Sequence, residues 1–109
     1  MSITLSETKN GQIFICSKCR LIHIEYKNIG FTFSDKEFRS FSYYFLKIEG
    51  EFWEIINLNS QFRRKIFISI GDKNFNILLY TDEVLEIKKL LKNTFKNPRI
   101  SSFIFFSKN

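Results

Sequence analysis

The sequence predicts an α+β domain, an antiparallel sheet with two helices packed on one face, in which the order strand-strand-helix occurs twice along 109 residues. Three observations carry this reading. Short stretches alternate polar and apolar residues with period two around turn-like clusters such as Lys9-Asn10-Gly11. Two other stretches change to the 3.6-residue period of an amphipathic helix. Capping residues stand before both of them, Ser34-Asp-Lys-Glu37 and Thr81-Asp82.

Taken in order, Ile3 to Leu5 and Gln12 to Cys16 read as a hairpin, and Arg20 to Tyr26 alternates again. Lys27-Asn28-Ile29-Gly30 breaks that strand, and Gly30 to Phe33 resumes it. The capping box at Ser34 opens a helix on which Phe38, Phe41, Tyr44, Phe45 and Ile48 share one arc. Phe52, Ile55 and Ile56 stay on that arc beyond Gly50, so the helix is expected to continue past the glycine and to end near Asn57 to Ser60. Lys65 to Ile70 and Phe75 to Tyr80 flank a four-residue hairpin loop, Gly71 to Asn74. Thr81-Asp82 then caps a helix from Glu83 to about Phe95, with Val84, Ile87, Leu90, Leu91, Thr94 and Phe95 as its core stripe. Lys96-Asn-Pro98-Arg releases the chain into Ile100 to Phe106, which has the composition of a terminal edge strand.

Composition bounds the class. Hydrophobic residues make up 44% and aromatics 17%, which excludes a disordered or fibrous chain and predicts one globular domain over residues 1–109. No segment approaches the roughly 18 apolar residues that span a bilayer, and the opening residues lack the pattern of a secretory leader. A soluble cytoplasmic protein with no membrane partner is therefore expected, with both cysteines as thiols. The net charge is +6. Up to Ile87 eleven basic residues face eleven acidic ones, so the whole excess is C-terminal, in Lys88, Lys89, Lys92, Lys96, Arg99 and Lys108. A segregated charge of this kind can act as an electrostatic footprint.

The strand before Cys16-Ser-Lys-Cys19, the strand carrying His23, the Asn28 turn and the Ser34-Asp-Lys-Glu37-Phe38-x-x-Phe41 helix start together resemble a family of small Bacteroidota proteins, a domain of unknown function with an N-terminal cysteine pair. The resemblance covers about residues 10 to 48. It implies a bacterial, cytosolic origin and a cysteine pair that belongs to the design of the fold, and it transfers no activity and no catalytic residue.

Cys16 and Cys19, with His23 four residues on, are the candidate metal ligands, and zinc is the one cofactor they suggest. A dithiol oxidoreductase needs its first cysteine at a helix N-terminus, whereas Arg20 to Tyr26 reads as a strand. If that strand begins at Cys19, its rise places His23 about 13 Å away, beyond the reach of a shared ion. Two readings then stand: a tight turn with small, partly buried thiols, which is favoured, and a zinc completed by the same pair of a second subunit. His23 alone reads as a strand residue at the solvent edge beside Glu25.

No catalytic constellation is present in the pattern. The acids near helix starts are explained as caps, Gly71-Asp-Lys-Asn lacks the residues of a phosphate cradle, and the chain is read as non-enzymatic. On the second helix Lys88, Lys92 and Lys96, with Lys89, form a basic wedge beside the buried stripe. With Arg99, Phe103 and Phe105 of the following tail they make the candidate partner-binding surface. A protein-interaction or self-associating module is the first reading. A nucleic-acid binder, with Tyr43, Trp53 or Phe103 stacking on bases, is the second. Most aromatics are phased toward the core, which disfavours the second.

Overall fold

The computed structural model describes residues 2–100. Four strands form an antiparallel sheet in chain order: β1 (Ser2–Thr8), β2 (Gly11–Cys16), β3 (Ile22–Tyr26) and β4 (Ile29–Phe33). Helices α1 (Asp35–Leu46) and α2 (Gly50–Ile56) follow, then the two-stranded antiparallel sheet of β5 (Ile66–Ile70) and β6 (Asp72–Leu79), then α3 (Thr81–Lys96). The α+β class is the one expected, but the strands divide between two sheets and three helices stand where two were expected. The chain divides into two compact units, Met1–Leu46 with Glu86–Asn109, and Lys47–Leu85.

In the first unit the inward face of the four-stranded sheet is built from alternate residues of its central strands. Ile13 and Ile15 of β2 and Ile22, Ile24 and Tyr26 of β3 are buried with Phe38 and Phe45 of α1 and with Ile87, Leu90 and Leu91 of α3. A bulge shifts the β1–β2 register between Thr4 and Ser6, so the consecutive residues Leu5 and Ser6 are both buried. The Ser6 hydroxyl donates to the Leu90 carbonyl at 2.8 Å and lies 2.8 Å from the Thr94 hydroxyl, which satisfies the polar groups that the bulge turns inward. The capping box forms reciprocally: Glu37 N–H donates to Ser34 Oγ at 3.2 Å and Ser34 N–H to Glu37 Oε1 at 2.9 Å.

In the second unit Ile48, Ile66, Ile68, Leu79 and Val84 are buried. Around them Phe67 meets Trp53 and Phe62 at ring separations of 6.3 and 5.5 Å. Arg64 pairs with the buried Glu83 carboxylate at 2.9 Å, and its guanidinium lies 4.3 Å from the Tyr80 ring centroid.

Four expectations are corrected. The long helix is two helices, because Glu49 takes an extended conformation (φ −105°, ψ 104°). Gly50 then starts α2 against Thr81, whose Oγ1 would stand 2.9 Å from a Cβ at that position. A side chain there would have to displace it. The second hairpin is tighter than four residues: Gly71, with φ 59°, takes the left-handed turn and β6 resumes at Asp72. Thr81 does not cap α3, since its hydroxyl donates to Glu54 at 2.9 Å, and Glu83 accepts from the Tyr80 N–H at 2.7 Å instead. Ile100 does not open a strand. Residues 98–100 are helical, with Asn97 Oδ1 accepting from Arg99 N–H at 3.0 Å, and Ile100 is buried. The rest of the expected edge strand, with Phe103 and Phe105, lies outside the described residues.

Candidate functional site

Cys16 ends β2 and Cys19 lies in the loop joining it to β3, at one end of the outward face of the four-stranded sheet. Cys16 N–H donates to the Leu21 carbonyl at 3.1 Å and Arg20 N–H to the Cys16 carbonyl at 2.9 Å, which closes the loop on itself. Arg20 takes the left-handed conformation (φ 57°) that completes the turn, a position where most L residues are disfavoured. Cys19 is therefore in the turn and not on the strand. Its Sγ lies 4.0 Å from His23 Nε2, which corrects the separation of about 13 Å expected for an extended chain.

Pairing across the sheet arranges the neighbours of His23. Phe14 faces it on β2 and Thr32 faces it on β4. The His23 ring stacks on Phe14 with centroids 4.9 Å apart and planes at 19°, and its Nδ1 is 3.1 Å from the Thr32 hydroxyl. Two contacts thus hold the ring with its other nitrogen toward the thiol. Cys16 is half-buried and Cys19 exposed, both free. The Cys19 N–H above all, then the Cys19 side chain and the Lys18 N–H, lower the Cys16 thiol to about 7, against burial, which raises it. Such a thiol is substantially ionised at neutral pH, as a nucleophile or metal ligand requires. Among the described residues no group of three His, Cys, Asp or Glu side chains is placed to hold a metal ion.

The basic wedge is only partly a surface. Lys92, Lys96 and Arg99 are exposed, while Lys88 is half-buried and engaged in an interaction of its own. The stripe beside it is buried at Ile87, Leu90, Leu91 and Thr94, whereas Phe95 is 39% exposed and reaches back to Phe38 at 5.5 Å.

A different surface was hidden in the sequence. None of the seven residues of α2 is buried, and Phe52, Ile55 and Ile56 are 56%, 73% and 53% exposed on one side of it. Leu58 and Phe62, just beyond the helix, are also mostly exposed. The periodicity placed Phe52, Ile55 and Ile56 on the arc of the preceding helix, and it is the break at Lys47–Glu49 that separates them from it. The signal that could have found them is the polar run Glu49-Gly50-Glu51, which interrupts the apolar pattern. No helix among the described residues is long and apolar enough to cross a membrane.

Residues 1–107 match a family of unknown function, DUF6686, and the chain belongs to that family. No curated protein and no solved structure matches it.

Proposed function

We propose that this DUF6686 chain is a non-enzymatic, cytoplasmic interaction module that associates with a second copy of itself through Phe52, Ile55, Ile56, Leu58 and Phe62. The observation that carries the reading is a helix, α2, that has no fully buried residue and leaves its apolar side open. Five large apolar side chains, each more than half exposed within eleven residues, present on the order of 600 Å² at about 200 Å² per side chain. That is the upper end of what a monomer ordinarily leaves open, and about three quarters of one partner's share of a standard interface.

Charge selects the occupant. Between Lys47 and Leu85 five basic residues meet six acidic ones, so this unit carries −1 and the remainder of the chain +7. Two copies with a net +6 each approach at least cost through their near-neutral units, and apolar side chains of one copy suit those of the other. Sedimentation of the full chain across a concentration series tests this. A reversible dimer is expected, with Ile55→Glu weakening it at least tenfold while the far-ultraviolet circular dichroism stays unchanged. A chain that remains monomeric up to about 1 mM, the edge of measurable affinity, would overturn the reading.

A further inference from the structure

We infer that Cys16 and Cys19 form a thiol–disulfide switch that exchanges with small disulfides, Cys16 attacking and Cys19 closing the intramolecular bond. The switch lies in the first unit and does not rest on the self-association proposed for the second. Each chain reacts once and stays oxidised until it is reduced, so the change is a modification and not a catalytic cycle. The turn brings the two residues together. Arg20 N–H donates to the Cys16 carbonyl at 2.9 Å and Cys16 N–H to the Leu21 carbonyl at 3.1 Å, which closes the chain around residues 16 to 19. Turns of this kind keep residues three apart within about 7 Å at Cα, and a disulfide spans about 4.4–6.8 Å. The Cys19 thiol donates to the Cys16 sulfur, and the N–H groups of Lys18 and Cys19 aim at the same atom. Sulfur already meets sulfur.

The donors around Cys16 favour its thiolate, the form that attacks a disulfide. Backbone N–H groups of the turn thus do here what a helix N-terminus does in a dithiol oxidoreductase. Cys16 is half-buried and Cys19 exposed, so the pair is reached from the solvent side. Cys19 Sγ also lies 4.0 Å from His23 Nε2, while His23 Nδ1 is 3.1 Å from the Thr32 hydroxyl. With Thr32 Oγ1 accepting from Nδ1–H, Nε2 is left to accept the Cys19 proton. The steps balance. Cys16 thiolate attacks one sulfur of R–S–S–R; the bond from Cys16 Sγ to that sulfur forms, the R–S–S–R bond breaks, and R–S⁻ leaves and takes a proton from solvent. Cys19 passes its proton through His23 to solvent, and its thiolate attacks Cys16 Sγ. The Cys16–Cys19 bond forms, the mixed disulfide breaks, and the second R–S⁻ leaves and is protonated. Two thiols of the chain are oxidised, and one small disulfide is reduced to two thiols. The contact with His23 serves before closure and is released by it. In a reducing compartment the pair rests as the dithiol and closes when small disulfides accumulate.

Treatment of the reduced full chain with oxidised glutathione at pH 7, followed by mass spectrometry and thiol titration, tests the switch. The wild type should lose both free thiols together and end as a monomeric chain lighter by two hydrogen atoms, with no lasting glutathione adduct. Cys19→Ser should stop at a glutathione adduct on Cys16, formed several times faster than on an unstructured cysteine peptide. Cys16→Ser should react at least tenfold more slowly than Cys19→Ser, because the remaining thiol lacks the donors of the turn. His23→Ala should form the mixed disulfide at the wild-type rate but close it severalfold more slowly, a split that general loosening of the loop would not produce. Circular dichroism should show each variant folded. A Cys19→Ser adduct that forms no faster than on the peptide would overturn the proposal. So would a wild-type chain that keeps its adduct or that joins only to other chains, since the two sulfurs would then not be partners.

Discussion

The Glu86 carboxylate accepts from the Asn10 backbone N–H at 3.0 Å, from the Asn10 side-chain amide at 2.9 Å and from the Tyr26 hydroxyl at 2.9 Å. Burial pushes its pKa up, but the hydrogen bonds from Asn10 and Tyr26 outweigh burial and hold it at about 2, below the ordinary 4.5. A folded value below the unfolded one stabilises the protein fully above about pH 4.5, and the stabilisation is lost as pH falls toward 2. Glu86→Gln should therefore cost about 1–3 kcal/mol at pH 7 and flatten the stability curve between pH 4.5 and 2. Urea titrations at a series of pH values check this; a variant with the wild-type curve would mean that other carboxylates drive acid unfolding. The sequence shows Glu86 only as an acid near a helix start, because its partners lie 76 and 60 residues away. His23 taught the converse. Its position on a strand was readable, but its 4.0 Å approach to Cys19 depended on Arg20 entering the left-handed region, which no glycine announced.

Elements with local causes were legible. The Ser34–Glu37 box formed as its spacing requires, and Ser34→Ala should cost about 1 kcal/mol in thermal or denaturant unfolding. The sheet-facing stripe of α1 is narrower than the arc of the helical wheel. Phe38 and Phe45 are 0% and 2% exposed and Ser42 lies between them in the seam, whereas Tyr44 is 47% exposed. Phe41 is half-buried against Phe31 and Phe33, at ring separations of 5.1 Å for each. Phe38→Ala and Phe45→Ala should each cost about 3–5 kcal/mol and Phe41→Ala clearly less. Equal losses at all three positions would mean that α1 sits rotated from this arrangement. The break before α2 was not legible, because periodicity records which side chains share a face and not where the axis turns. Gly50 marks it only through its closeness to Thr81, thirty-one positions further on.

For the whole molecule, the charge of +6 makes association between copies repulsive at long range. Raising salt from about 0.01 M to 1 M shortens the screening length from about 30 Å to about 3 Å, so dimerisation through the apolar residues of α2 should strengthen. Binding to phosphates or to an acidic partner through Lys92, Lys96 and Arg99 would weaken over the same range. A sedimentation series in salt distinguishes them, and weakening with salt would count against the apolar interface. By itself the sequence determined the α+β class, the succession of strands before α1, the α1 cap and most of the apolar stripe of α3. Each of these follows from periodicity and from contacts a few residues apart. Only the tertiary structure decided that the strands form two sheets, that Phe52, Ile55 and Ile56 face outward, and that Cys19 meets His23. Those outcomes turn on a few backbone angles, at Arg20, Glu49 and Gly71, which redirect whole segments while leaving the pattern of residue types unchanged.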